Sequence, residues 1–313
     1  MTQSLTPKII NTQVENENGM LNKIVLVTTY PKAEEIGRIE AEALAAERDF
    51  KLVNLADFRF RVVGNKLVVD KIDVEALRGS VVVVRGIFNA IRSVASVVDY
   101  LRGNGIPVFD NNLTEHKYVI NKVADLVKLA VKGVPVPDAF YTRDFNDYPK
   151  YGEQLGYPLI VKSNRMGKGA GVFKLDSKEE LEAFVLNLLE TDRSAKNYII
   201  QEYVPYKYDL RVLIVGDKTW AMRRIPREGD FRANFSLGGS VEKFELNKEQ
   251  SSLAFRALEA VNMPVAGVDI LVGEDGRNYV LEVNHTAGLV GMEQATGENV
   301  VKKYLEVAIK AAK

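Results

Sequence analysis

Short apolar runs rich in β-branched residues alternate along the chain with longer stretches whose apolar positions recur every three or four residues, so strands alternating with helices are expected. Residues 24–29 (Ile-Val-Leu-Val-Thr-Thr) read as a buried strand, 33–48 as a helix and 51–55 as a second strand. That order predicts a parallel α/β unit. Gly64-Asn65 separates residues 60–63 from 66–69 and predicts a small hairpin. A buried strand at 81–84, a helix at 90–102 and a short strand at 107–109 close this unit near Asn111.

Helical spacing then runs from Thr114 to Lys132, where Gly133 and Pro135 stop it. Strands are expected at 158–162, 172–175 and 198–202, with a helix at 178–189. From Asp209 onward strands and loops alternate around a helix at 248–261, and a last helix covers 298–313. The expected division is a polar tail over residues 1–20, an N-terminal domain over 21–111, a central unit over 112–204 and a C-terminal unit over 205–313.

The most informative segment is 265–284. Asp275-Gly276 marks a hairpin turn, because both residue types tolerate positive φ. A turn centred there places Asp269 opposite Glu282, with both side chains leaving one face of the sheet. Asn284, two residues further on, shares that face. Two carboxylates that close repel unless a cation lies between them. Strand interiors are depleted in aspartate, so a merely solvated face is the weaker reading. The spacing predicts a divalent-cation site built from oxygen.

A second feature is Lys162 at the end of an apolar strand, followed by the glycine-rich run Gly167-Lys168-Gly169-Ala170-Gly171. Bare backbone amides can approach an anion closely, and a lysine is a point charge suited to phosphate. The run is not a Walker loop, which requires Gly-Lys-Ser/Thr leading into a helix. It is not a dinucleotide fingerprint either, because no helix follows the glycines.

Composition narrows the chemistry. Lysine plus arginine and aspartate plus glutamate each number 42 in 313 residues, so no global field attracts nucleic acid or a membrane surface. With no cysteine, disulfides, thiolate metal sites and thiol nucleophiles are excluded. Only His116 and His285 could offer nitrogen to a metal, which points to magnesium or manganese on oxygen. No apolar run approaches the roughly 20 residues needed to span a bilayer. A cytoplasmic enzyme is expected.

In order along the chain, Asn121-Lys122, Val161-Lys162, the glycine-rich run, Gln201-Glu202-Tyr203-Val204, Asp209-Leu210-Arg211, Asp269 and Glu282-Val283-Asn284 resemble the ATP-grasp superfamily. Within it, Arg223-Arg224, the block Glu228-Gly229-Asp230-Phe231-Arg232-Ala233-Asn234 and Gly238-Gly239 resemble the RimK-type α-L-glutamate ligases. The resemblance implies an α/β (α+β) ATP-grasp fold preceded by a parallel α/β pre-ATP-grasp domain. It implies that Lys122 and Lys162 hold ATP phosphates beneath a flap carrying Gly167, Gly169 and Gly171. Glu202, Tyr203 and Val204 would line adenine, Asp209 would meet the ribose, and Arg232 and Asn234 would lie near the triphosphate. Asp269, Glu282 and Asn284 would ligate two magnesium ions, with manganese able to substitute. Arg211 and Arg223 would clamp a substrate carboxylate or an acyl-phosphate, whereas Arg224 and Arg227 read as surface charges.

The implied reaction joins an amine, by resemblance that of L-glutamate, to a carboxylate acceptor: a protein C-terminus, a peptide or a small molecule. A ligase that cross-links a peptide through its own side chains is the nearest alternative, and a non-catalytic ATP-binding module is a weaker one. Homo-oligomerisation is expected by analogy alone. One departure from the family is His285-Thr286-Ala287 after Asn284, where a small residue and a proline are usual. An isolated histidine there reads first as a packing or hydrogen-bonding residue and second as an acid–base group. Arg85, at the end of a buried strand, is a candidate to face the substrate.

Overall fold

A computed structural model describes residues 21–64, 66–70, 72–110, 114, 121–164, 171–191, 198–226 and 240–312. The first part comprises β1 (Lys23–Thr28), α1 (Glu34–Ala45), β2 (Asp49–Asn54), β3 (Arg59–Val63), β4 (Lys66–Asp70), β5 (Ser80–Val84), α2 (Ile91–Gly103) and β6 (Val108–Phe109). Strands β2-β1-β5-β6 form a parallel sheet in that order, and β3 pairs with β4 as the expected hairpin. The central strands β1 and β5 are apolar without alternation because they are covered on both faces.

Next come α3 (Lys122–Val131), β7 (Ala139–Tyr141), α4 (Tyr148–Leu155), β8 (Leu159–Ser163), β9 (Val172–Leu175), α5 (Lys178–Thr191) and β10 (Tyr198–Glu202). Their strands make an antiparallel sheet, β7-β10-β8-β9. Leu159, Val161 and Ile200 pack beneath α4 and α5, so Lys162 leaves the other face. The last part holds β11 (Tyr206–Val215), β12 (Lys218–Ile225), β13 (Ser240–Phe244), α6 (Lys248–Val261), β14 (Val265–Gly273), β15 (Asn278–Asn284), α7 (Leu289–Thr296) and α8 (Val300–Ala311). Its antiparallel sheet runs β13-β12-β11-β14-β15. Helix α6 starts in a capping box in which Asn247 and Gln250 satisfy each other's backbone amides.

One face of this third sheet is apolar throughout: Leu210, Val212, Ile214, Val268 and Ile270 pack against α6 and α3. The other face changes character along each strand. Val215 and Leu213 give way to Arg211 and Asp209, Trp220 to Arg224, and Val265 to Asp269. The apolar ends join a core shared with Ile24, Leu26 and Ile39 of the N-terminal part and Tyr304 and Leu305 of α8. The charged ends remain in a cleft.

Three sequence expectations differ from the structure. The helix expected from Thr114 begins as a described element at Lys122, where the Asn121 side chain accepts from the Ala124 amide and caps it. Helices α4 and α7 were not expected; Pro149 and Gly152 mask the first, and only eight residues form the second. The third difference concerns the hairpin. Asp269 does oppose Glu282, yet near the turn Val272 pairs with Asn278 and Ile270 with Val280, one residue out of the expected register. A bulge at Leu281 restores the pairing and so re-aims Glu282 beside Asp269.

Candidate active site

The charged ends of β11, β12, β14 and β15 place Asp209, Arg211, Arg224, Asp269, Glu282 and Asn284 on one face, because each is opposed or alternates in register. Gly267 lies opposite Asn284, and a Cβ there would come within 2.7 Å of the Ala287 Cβ and 3.3 Å of the Arg211 Cδ. The glycine therefore makes room for the Arg211 side chain to lie along the sheet.

Both oxygens of Asp269 are engaged by arginine. Arg211 approaches with Nε at Oδ1 and donates from Nη2 to Oδ2 at 2.9 Å, and the Arg224 Nη2 lies 3.0 Å from Oδ2. Arg224 also donates to Asp209 at 2.5–2.9 Å. Burial pushes the Asp269 carboxyl up, but the two guanidinium groups outweigh it and hold it below the usual range. Burial pushes the Asp209 carboxyl up to about 6, against the pull of Arg224. The repulsion expected to call for a cation is thus relieved at Asp269 by two arginines.

Arg224 is only 5% exposed, which corrects its reading as a surface charge. Arg223 is the reverse. Its neighbour in the strand points into the cleft, so Arg223 leaves the opposite face, where it pairs with Glu242 and lies 5.3 Å over the Tyr208 ring. It does not join Arg211 at the site. Asp209, expected at a ribose, has its carboxylate on Arg224 instead.

Glu282 is more open. Asn284 Nδ2 donates to it at 3.2 Å, and the Lys122 Nζ is 3.9 Å away. Lys122 also donates to the Ser163 carbonyl at 3.4 Å, beside Lys162. Burial pushes the Lys162 ammonium down to about 8; Glu282 opposes the shift and Lys122 adds to it. Lys162 therefore carries its charge below about pH 8 and loses it above. If it holds phosphate, kcat/KM for ATP will fall by about tenfold per pH unit above that value, and a pH series of initial rates checks it.

Residues 202–205 face the hairpin tip across a cavity of about 190 Å³ lined also by Glu274, Asp275, Arg277 and Tyr279. The Glu202 carboxylate accepts from the Asp138 amide at 2.9 Å, so it braces this segment. Gly171 is described, next to β9; Gly167, Gly169, Arg232, Asn234, Arg227 and His116 lie outside the described residues.

Arg85 does not face the cleft. It is 2% exposed and donates to Glu35 at 2.6 Å, to Asp110 at 2.9 Å and to the Ala287 carbonyl at 2.7 Å. His285 is buried with Nε2 2.8 Å from Asp125 Oδ2, a structural contact. Nothing in the sequence marked Asp125 or Glu35, since their partners are distant in the chain.

The donor set suits magnesium and a polyphosphate in part. Glu282 and Asn284 offer uncrowded oxygens of the class a hard cation takes, and two lysines bring positive charge to the same cleft. Asp269 could ligate only as Arg211 turns from it. Among the described residues no group of three carboxylate or histidine ligands is preassembled.

The family model of the RimK-like ATP-grasp domain matches residues 119–308. A protein named "Probable alpha-L-glutamate ligase 1" from Shewanella sp. (strain MR-4) is 35% identical over 200 residues. That match takes in 62% of this chain and 65% of the Shewanella protein, just under two thirds of its length. A "Probable alpha-L-glutamate ligase" from Legionella pneumophila (strain Corby) is 29% identical over 307 residues, covering 93% of this chain and 96% of its own. The ATP-grasp ligase PsnB, solved with a minimal precursor, superposes with a TM-score of 0.71 at 22% identity, over 93% of this chain and 99% of that one. The last likeness is one of fold.

Proposed function

Because the chain belongs to the RimK-like ATP-grasp family, we propose that it is a cytoplasmic ATP-dependent carboxylate–amine ligase that adds L-glutamate to a carboxylate acceptor through an acyl-phosphate. The observation that carries this reading is the meeting of Lys162 from the second sheet with Glu282 and Asp269 from the third across one cleft.

An acceptor carboxylate oxygen attacks the γ-phosphorus of ATP in line and ADP leaves. The amine nitrogen then attacks the acyl carbon and phosphate departs with the carboxylate oxygen, so no protein nucleophile is needed. Lys122 and Lys162 hold the phosphates and offset the charge that develops on them. Glu282, Asn284 and, once Arg211 has turned, Asp269 would hold magnesium, which would supply positive charge against the phosphates. Of the two arginines expected to clamp an oxyanion, Arg211 would take it alone, because Arg223 leaves the opposite face of the sheet. A ligase that cross-links a peptide through its own side chains is the second reading, supported by the complex of PsnB with the precursor peptide PsnA2.

ADP release with Mg-ATP, measured against each of the twenty amino acids with Lys162→Ala as blank, tests the proposal. Stimulation by glutamate supports it. Stimulation by another amino acid keeps the chemistry and replaces the substrate, and release equal to the blank in every case, even with candidate acceptor peptides added, counts against a ligase.

A further inference from the structure

His285 follows Asn284, the last residue of β15, and its ring turns to the α3 side of the sheet, away from the cleft. There it meets Asp125, 2.8 Å away, and the two residues are 7% and 6% exposed. Asp125 is three residues beyond Lys122, in the first turn of α3. The same turn is tied to the end of β8: the Val123 amide donates to Asn164 Oδ1 at 3.3 Å, and Lys122 to the Ser163 carbonyl at 3.4 Å. Beyond the other end of α3, the Val280 amide of β15 donates to the Pro135 carbonyl at 2.8 Å. One short helix thus spans the gap between the strand that carries Lys162 and the strand that carries Glu282 and Asn284.

We infer that the Asp125–His285 pair is a positioning latch, which fixes the Lys122 turn of α3 against the end of β15 and so sets the distance from the phosphate-binding lysines to the oxygens of Glu282 and Asn284. The inference rests on the nucleotide-site reading above. The segment just after His285 is held from the far side as well. Arg85 donates to the Ala287 carbonyl at 2.7 Å and Glu35 accepts from the Leu289 amide at 2.7 Å. With both sides held, a shift at His285 must pass into Asn284 rather than into a slack loop.

Stability alone is a poor account of the pair. Burying a histidine and a carboxylate forfeits their hydration, and an apolar pair of the same volume is often as stable or more so. His285 Nδ1 and Thr286 Oγ1 are moreover buried with no hydrogen-bond partner among the described residues. Polar groups buried at such cost, one residue from a proposed cation ligand, are groups whose geometry matters.

The test compares the wild type with the double apolar replacement Asp125→Leu/His285→Phe and with Asp125→Leu alone. Thermal stability is recorded together with calorimetric affinity for ADP in the presence and absence of magnesium. The double replacement is expected to melt within a few degrees of the wild type and the single one well below it. Both are expected to bind Mg-ADP about tenfold or more weakly, with affinity for metal-free ADP unchanged. A double replacement that binds Mg-ADP as the wild type does would overturn the latch. Should it fail to fold, Asp125→Ala and Asp125→Asn carry the test. Asparagine can still accept from Nε2 and is expected to recover the affinity that alanine loses, and equal affinity in the two overturns the latch. A wild type that binds no Mg-ADP removes the nucleotide reading itself, a different result from a wild type that binds and a replacement that binds equally well.

Discussion

Lys162→Ala will lower ATP turnover by roughly 10²–10³-fold while leaving the protein as stable as before, or more so. On the proposed reading its ammonium offsets charge on a transferring phosphoryl group, and no other lysine of β8 replaces it. Its position is unfavourable for folding. Burial lowers its pKa to about 8, with Lys122 adding to the shift against Glu282, so folding at neutral pH disfavours the charge it carries. The sign follows from linkage: a lysine depressed in the folded state costs stability below about pH 8, and the cost is relieved as pH rises toward the unfolded value. A melting comparison at pH 7 and pH 9.5 should therefore show the variant's advantage at the lower pH shrinking at the higher. A fall in melting temperature that accompanies the loss of turnover would contradict a functional origin for this half-buried charge.

Arg85→Ala should do the opposite, costing about 3–5 kcal/mol of stability by leaving unpaired charges buried. Its guanidinium bridges Glu35 of α1, Asp110 after β6 and the Ala287 carbonyl, and Tyr304 of α8 donates to the same Asp110 at 2.6 Å. Four distant stretches of chain meet on one buried cation. Burial already pushes the Asp110 carboxyl up against the pull of Arg85, so losing the arginine leaves a carboxyl that must take a proton. Arg85→Lys recovers little, because an ammonium cannot reproduce the planar fork. Urea unfolding of both variants checks this, with a loss below about 1 kcal/mol, the range of exposed pairs, as the contrary result.

The sequence was most informative where local rules decide. The β-branched runs of β1 and β5, the limits of β9, β10 and α6, and the opposition of Asp269 to Glu282 all follow from periodicity and turn chemistry. Even there the hairpin reached the expected pair by a compensation, since a shifted turn and a bulge at Leu281 cancel, and no local signal marks a bulge in an apolar strand. Arginines were least legible. Arg223 and Arg224 are adjacent, and only the strand phase, set by packing on α6, decides which enters the cleft. Arg85 reads in sequence like a site residue because a charge ends a buried strand; its partners Glu35, Asp110 and Ala287 lie 50, 25 and 202 residues away. The two helices that were missed, α4 and α7, are short and interrupted or bordered by glycine and proline, so their periodicity is too brief to stand out.

The most direct measurement is calorimetric binding of ADP with and without magnesium, to the wild type and to Glu282→Gln. Among the described residues Glu282 is the cleft carboxylate that no arginine holds, and the Lys122 Nζ lies 3.9 Å from it. The account predicts that magnesium tightens ADP binding to the wild type and that most of this gain disappears in the variant, whose affinity for metal-free ADP is retained. An equal magnesium gain in both proteins would contradict it, because the cation would then lie somewhere other than the face shared by Asp269, Glu282 and Asn284.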